Sequence, residues 1–128
     1  MSAHTDHSVL PDPPGAGVLD PEALVRLREL DPGGKAGLVP RVLATYNQSL
    51  QRLLEQLRVA REQSDTQAQR HVVHTLKSSS ASVGALKLAR LCADTENKLR
   101  EGLAEGLAPQ LDELAGEGER VLAALRLG

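Results

Sequence analysis

Apolar residues recur at intervals of three and four along most of the chain, the spacing of helices with one buried face. Asp20-Pro21-Glu22 opens a short first helix: an aspartate to cap it, a proline in its first turn, and an acid at the positive end of its dipole. Leu24, Leu27 and Leu30 give it an apolar stripe, and Asp31-Pro32-Gly33-Gly34 ends it. A second helix is expected from about Gly37 to Gln63, with Pro40 in its first turn. Val42, Tyr46, Leu50, Leu53, Leu54 and Leu57 form its inner face. Ser64-Asp65-Thr66-Gln67 reads as a turn plus a capping box for a third helix. Gly84 marks a junction. A fourth helix, about Ala85 to Arg100, buries Leu88, Leu91, Cys92, Thr95 and Leu99. The Gly102–Gly106 segment breaks it. A last helix carries Leu107, Leu111, Leu114, Val121, Leu122 and Leu125, with Gly116 and Gly118 marking a bend or a close helix contact. Short loops make successive helices antiparallel neighbours. The predicted fold is therefore all-α, an up-down-up-down four-helix bundle over residues 18–128 with a short extra N-terminal helix.

The third helix carries the candidate chemistry. On a helical wheel, Arg70, His71, Lys77, Ser78 and Ala81 fall within about 60° of His74. Val72, Leu76, Ala68, Ser79 and Val83 fall on the opposite, apolar side. His74 is thus predicted outside, in the middle of a solvent-facing stripe. Val73 is read as an exposed apolar contact beside it. An exposed imidazole, neutral about half the time or more at cytoplasmic pH, is a competent nucleophile. Lys77, one turn on, is placed to reach an anion held on the ring, and Arg70 adds to the same field. Ser78, Ser79 and Ser80 are small enough for a partner to approach closely.

Composition narrows the choice of function. Only 1% of the chain is aromatic, Tyr46 alone, so the core must be aliphatic. Basic and acidic residues number 15 and 17, with no basic tail and no aromatic–basic interleaving, which argues against nucleic acid. No apolar stretch has the length of a membrane span or a signal peptide, so a cytoplasmic location is expected. Cys92 is the single cysteine and reads as a small core residue in a reducing compartment. Residues 1–17, rich in Pro and Gly, read as a disordered arm, and His4 and His7 within it as solvated side chains. There is no Gly-rich phosphate loop, and His71 with His74 lacks the further ligands of a metal site. Glu96 and the other helix carboxylates read as solvated faces or weak ion pairs. The Ala, Leu, Arg and Gly richness fits a bacterium with a GC-rich genome.

The run His74-Thr75-Leu76-Lys77-Ser78-Ser79-Ser80-Ala81-Ser82-Val83-Gly84-Ala85 resembles the signature of histidine-containing phosphotransfer (HPt) domains, roughly H-x-L-K-G-S-S, a short apolar spacer, then G-A and a Leu-rich helix. The likeness extends over about residues 18–126. It implies a monomeric four-helix bundle. It implies that His74 is the phosphorylated residue, that Lys77 stabilises the phosphoryl group, and that Gly84 serves the turn. Two departures stand out. Ser78 occupies the position, four after the histidine, where the family usually has Gly. The second helix has Tyr46 for packing in place of a Phe.

The expected function is that of a free-standing phosphorelay carrier. It would take a phosphoryl group on His74 and exchange it with aspartates of response-regulator receiver domains, or with a hybrid sensor kinase. Transfer would run in line, with no cofactor of its own and with Mg²⁺ supplied by the receiver. Arg70, His71, Val73, Ser78 and Ala81 are the expected docking residues. His71 shares the face of His74 but lacks the downstream register. The rivals are a phosphate-inert bundle that binds a receiver or kinase as an adaptor, and a structural or dimerising module. Neither needs an exposed nucleophile with a cation one turn away.

Overall fold

The computed structural model describes residues 18–127. The arm expected at residues 1–17, with His4 and His7, lies outside them. Helix α1 spans Pro21–Glu29 and is followed by a 3₁₀ turn at Pro32–Gly34. Four longer helices come next: α2 Leu38–Glu62, α3 Thr66–Ser82, α4 Leu86–Glu101 and α5 Leu107–Leu127. Each packs on its successor and α5 closes against α2. With loops of a few residues this is the up-down-up-down bundle that the apolar periodicity predicts. No strand occurs among the described residues, and none of their helices is long and apolar enough to cross a membrane.

Helix ends follow their capping chemistry, with two differences from the sequence reading. Asp65 alone caps α3, accepting the Ala68 amide at 3.0 Å. The expected capping box does not form, because Thr66 and Gln67 already belong to the helix and the third helical position is Ala68. Asp31, read only as a stop signal, also caps α2 from a distance. Its carboxylate accepts the amides of Leu38 (3.0 Å) and Ala36 (3.2 Å), and these bonds hold it below the usual carboxylate range. The cap residue of α2 itself, Gly37, has no side chain to offer.

Helix α1 seats differently from its predicted stripe. Leu24 and Leu27 are half-buried, but Leu30 is 74% exposed because the helix has already ended there. The buried anchor is Ala23, set against Gly84 at the α3–α4 junction. The Asp20 amide donates to the Gly84 carbonyl at 2.8 Å. Gly84 has φ +85°, a conformation that favours glycine.

The core is aliphatic, as composition requires. Leu50, Leu53 and Leu57 of α2 meet Val72, Val73 and Leu76 of α3, Leu88, Leu91 and Leu99 of α4, and Leu111, Leu114, Val121 and Leu122 of α5. Cys92 is fully buried among them, and burial pushes its thiol up to about 12. Of the two α5 glycines, Gly118 marks a close contact: a Cβ there would stand 2.9 Å from both terminal carbons of Leu54.

Tyr46 takes the packing position expected of it and is 4% exposed. Its hydroxyl bonds the fully buried Ser80 hydroxyl at 2.8 Å, linking α2 to α3. Tyr46→Phe leaves the Ser80 oxygen without that partner. The expected cost is about 1–2 kcal/mol, read as a lowered urea midpoint with unchanged slope.

Candidate functional site

The buried residues of α3 are Gln69, Val72, Val73, Leu76 and Ser80. On the helical wheel they centre about 145° from His74. His74 therefore faces away from the core, and its side chain is 63% exposed. Arg70, His71, Ser78 and Ala81 are exposed with it. Val73 is not: it is fully buried, which corrects its reading as a docking contact. The core side of the wheel is rotated toward Val73 relative to the one assigned from Ala68 and Ser79, both of which are only half-buried. Helix α3 lies between α2 and α4, so a position a quarter-turn from His74 falls inside the arc they cover.

The same rotation brings Lys77 nearer the bundle, where its side chain is 36% exposed and turned toward α4. There it meets Glu96, which sequence reasoning read as part of a solvated face or a weak ion pair. The Glu96 side chain is 11% exposed. Its Oε1 accepts from Lys77 Nζ at 2.7 Å, and its Oε2 lies 2.8 Å from Nδ1 of His74. One carboxylate thus ties together the two residues singled out by the His-x-x-Lys spacing. The available signal was the register of α4. The buried stripe runs through Leu88, Cys92, Thr95 and Leu99, and Glu96 sits one turn from both Cys92 and Leu99, on its flank.

The carboxylate settles the ring's electronic state. The Lys77 ammonium holds the Glu96 carboxyl below its ordinary value; burial opposes this, and the His74 contact adds to it. An ionised carboxylate only accepts hydrogen bonds, so Nδ1 must be the donor. In the neutral ring Nε2 then carries the free lone pair. The arrangement is an exposed imidazole with a fixed tautomer, buttressed from behind by an ion pair.

The lowered Glu96 value also has a stability consequence. Stabilisation from an acid whose folded value is depressed is complete above its unfolded value, near 4.5, and is lost as pH falls through the folded one. The stability gap between the wild type and Glu96→Gln is expected to be widest above that value and to narrow in more acidic solution. Urea midpoints measured across the acidic range check this.

A groove of about 510 Å³ runs between the N-terminal half of α2 and the C-terminal end of α3. Leu38, Val42, Tyr46, Ser79, Ser82 and Val83 line it. Among the described residues, no group of three or more His, Cys, Asp or Glu side chains is placed to hold a metal ion.

A family model, the Hpt domain, matches residues 41–125. The chain belongs to the Hpt domain family. The matched region takes in α3, α4 and most of α2 and α5, hence His74, Lys77 and Glu96 together. Two solved structures share the HPt fold. Histidine-containing phosphotransfer protein B of Pseudomonas aeruginosa PAO1 is 27% identical, with a TM-score of 0.76 over 88% of this chain and 94% of its own. A rice protein assigned to the histidine-containing phosphotransfer proteins is 24% identical, with a TM-score of 0.69 over 87% and 81%; at that identity the likeness speaks for the fold. No curated protein matches at a significant level. Helix α1 lies ahead of the region that the family model matches and is docked on the glycine of the α3–α4 turn.

Proposed function

We propose that this HPt protein is a phosphorelay carrier that accepts a phosphoryl group on Nε2 of His74 and exchanges it with the aspartate of a receiver domain. The observation that supports it most is the occupied Nδ1. With that nitrogen held by Glu96 on an otherwise exposed ring, Nε2 is the nucleophilic atom left to react. The Nε2 lone pair forms the P–N bond while the P–O bond to the receiver aspartate breaks, its electron pair returning to the carboxylate. Reversal regenerates the acyl phosphate. Mg²⁺ belongs to the receiver's acidic pocket and offsets charge on the phosphoryl oxygens. The carrier contributes position, access and charge rather than turnover, and it needs no nucleotide.

Lys77 enters this reading in two ways. It keeps Glu96 ionised, and it is a cation one helical turn from His74, placed to meet a phosphoryl dianion. The docking surface is the exposed face around Arg70, His71, Ser78 and Ala81, continued by the α2–α3 groove, whose apolar floor suits the contact face of a receiver. The natural setting of the exchange is the cytoplasm, and the working form is a monomer.

The test is incubation with phosphorylated receiver domains. Uptake of an acid-labile label supports the carrier. A phosphate-inert adaptor would bind the receivers yet take no label, and a structural module would do neither. Ser78 gives a separate check on docking. It is exposed one turn after the histidine, where bulk would stand between Nε2 and the receiver. Ser78→Phe is expected to slow transfer by about tenfold or more with little change in stability, and Ser78→Gly to transfer at least as fast as wild type.

A further inference from the structure

Attack by Nε2 on phosphorus turns the ring into a cation. The lone pair of Nε2 enters the P–N bond while Nδ1 keeps its proton. In water an N-phosphoimidazolium can give up that proton near neutral pH. The neutral ring that results holds its phosphoryl group more firmly, because breaking the P–N bond would then expel an imidazolide anion instead of neutral imidazole. What touches Nδ1 decides which form prevails.

Here that contact is a carboxylate oxygen at 2.8 Å on a largely buried side chain, and its other oxygen is tied to Lys77. We propose that Glu96 keeps phosphorylated His74 protonated at Nδ1 through the range in which an unassisted phosphoimidazole would lose that proton, so that the carrier stays in its fast-transferring form. The proposal rests on His74 being the acceptor. It makes Glu96 a positioning residue that acts through the ring.

The step balances without solvent. On loading, the P–O bond of the donor breaks as the P–N bond forms, and the Nδ1 proton stays between ring and carboxylate. On unloading, the P–N electron pair returns to Nε2 and neutral imidazole leaves with the same proton still on Nδ1. No proton is exchanged with water in either direction.

The surroundings favour this state. Lys77 keeps Glu96 ionised, and because it bonds the far oxygen, Oε2 remains the ring's nearest charge. Arg70 and His71, on the preceding turn of α3, are exposed to solvent and screened. On α4, the Cys92 thiol one turn before Glu96 is pushed up to about 12 and stays neutral. Among the described residues, neither α2 nor α5 places a charged side chain in an ion pair with His74 or Glu96.

Glu96→Gln separates charge from position, since a carboxamide oxygen still accepts a hydrogen bond from Nδ1–H. The full chain and this variant are charged by a phosphorylated receiver and freed of it. Loss of phosphate is then followed from about pH 6 to about pH 9, the range that brackets imidazole titration. The wild-type rate is expected to vary by less than about threefold, while that of Glu96→Gln falls about tenfold per pH unit once its ring deprotonates. Nitrogen-15 NMR of the charged wild type should show Nδ1 still protonated at the alkaline end. This second reading stands even if the variant folds poorly. Equal pH profiles for the two proteins, or a wild-type Nδ1 that deprotonates near neutrality, would overturn the proposal while leaving His74 as acceptor. Absence of phosphate from His74 in both proteins would overturn the acceptor assignment and this inference with it.

Discussion

Replacing His74 by Gln is expected to reduce phosphoryl uptake from a charged receiver to below about 1% of wild type while the bundle stays folded. Glutamine matches much of the bulk of the ring and its amide can donate to Glu96, but it offers no nitrogen lone pair with which to form a P–N bond. The side chain is 63% exposed and outside the core, so the stability change should stay below about 1 kcal/mol. Label uptake and thermal unfolding, measured on the same preparation, separate loss of chemistry from loss of fold. His71→Ala is the matched control, since it removes a second exposed imidazole from the same face and should leave uptake largely intact. Retained label in the His74 variant would shift the acceptor to His71 or to the Ser78–Ser80 run, and acid lability tells a phosphoramidate from a serine ester.

The largest expected stability effect lies at the α3–α4 turn. A Cβ on Gly84 would stand 2.8 Å from the Cβ of Ala23, 2.9 Å from the Asp20 amide nitrogen and 3.0 Å from the Asp20 carbonyl oxygen. Backbone atoms cannot swing aside as a flexible side chain can. The residue also sits at φ +85°, which is strained for any L side chain. Gly84→Ala is therefore expected to cost about 2–4 kcal/mol and to lower Tm by about 10 °C or more. Gly33→Ala is the contrast: φ is +81° there but nothing lies within 4 Å, so only the backbone term of about 1 kcal/mol applies. The turn also sets how α3 and α4 lie against each other, and hence whether His74 on one meets Glu96 on the other. Gly84→Ala should loosen that contact as well as lower stability. A Tm loss no greater than that of Gly33→Ala would show that α1 is not seated on the turn as described.

Much of the fold was legible because helix periodicity and capping are local. The second helix, read as Gly37 to Gln63, differs from Leu38–Glu62 only by its cap residues. The buried set of α4 was read in full apart from Glu96. The exposure of His74 followed from a single wheel. What the wheel could not supply was the angle at which two neighbouring helices cover α3, and Val73 was misplaced for that reason. Glu96 was missed for a related one. An acid on an amphipathic helix looks like part of the solvated face until a partner helix brings a cation and an imidazole to it. Asp31 was underread likewise, since a cap reaching over seven residues leaves no short-range motif.

Which atom takes phosphorus decides whether His74 is the carrier. Phosphorus–nitrogen correlation NMR on the ¹⁵N-labelled chain, charged by a receiver, reads that atom directly. The expected spectrum couples phosphorus to Nε2 of His74, with the proton retained on Nδ1. Coupling to Nδ1, coupling to a ring of His71, or phosphorus on a serine oxygen would contradict it.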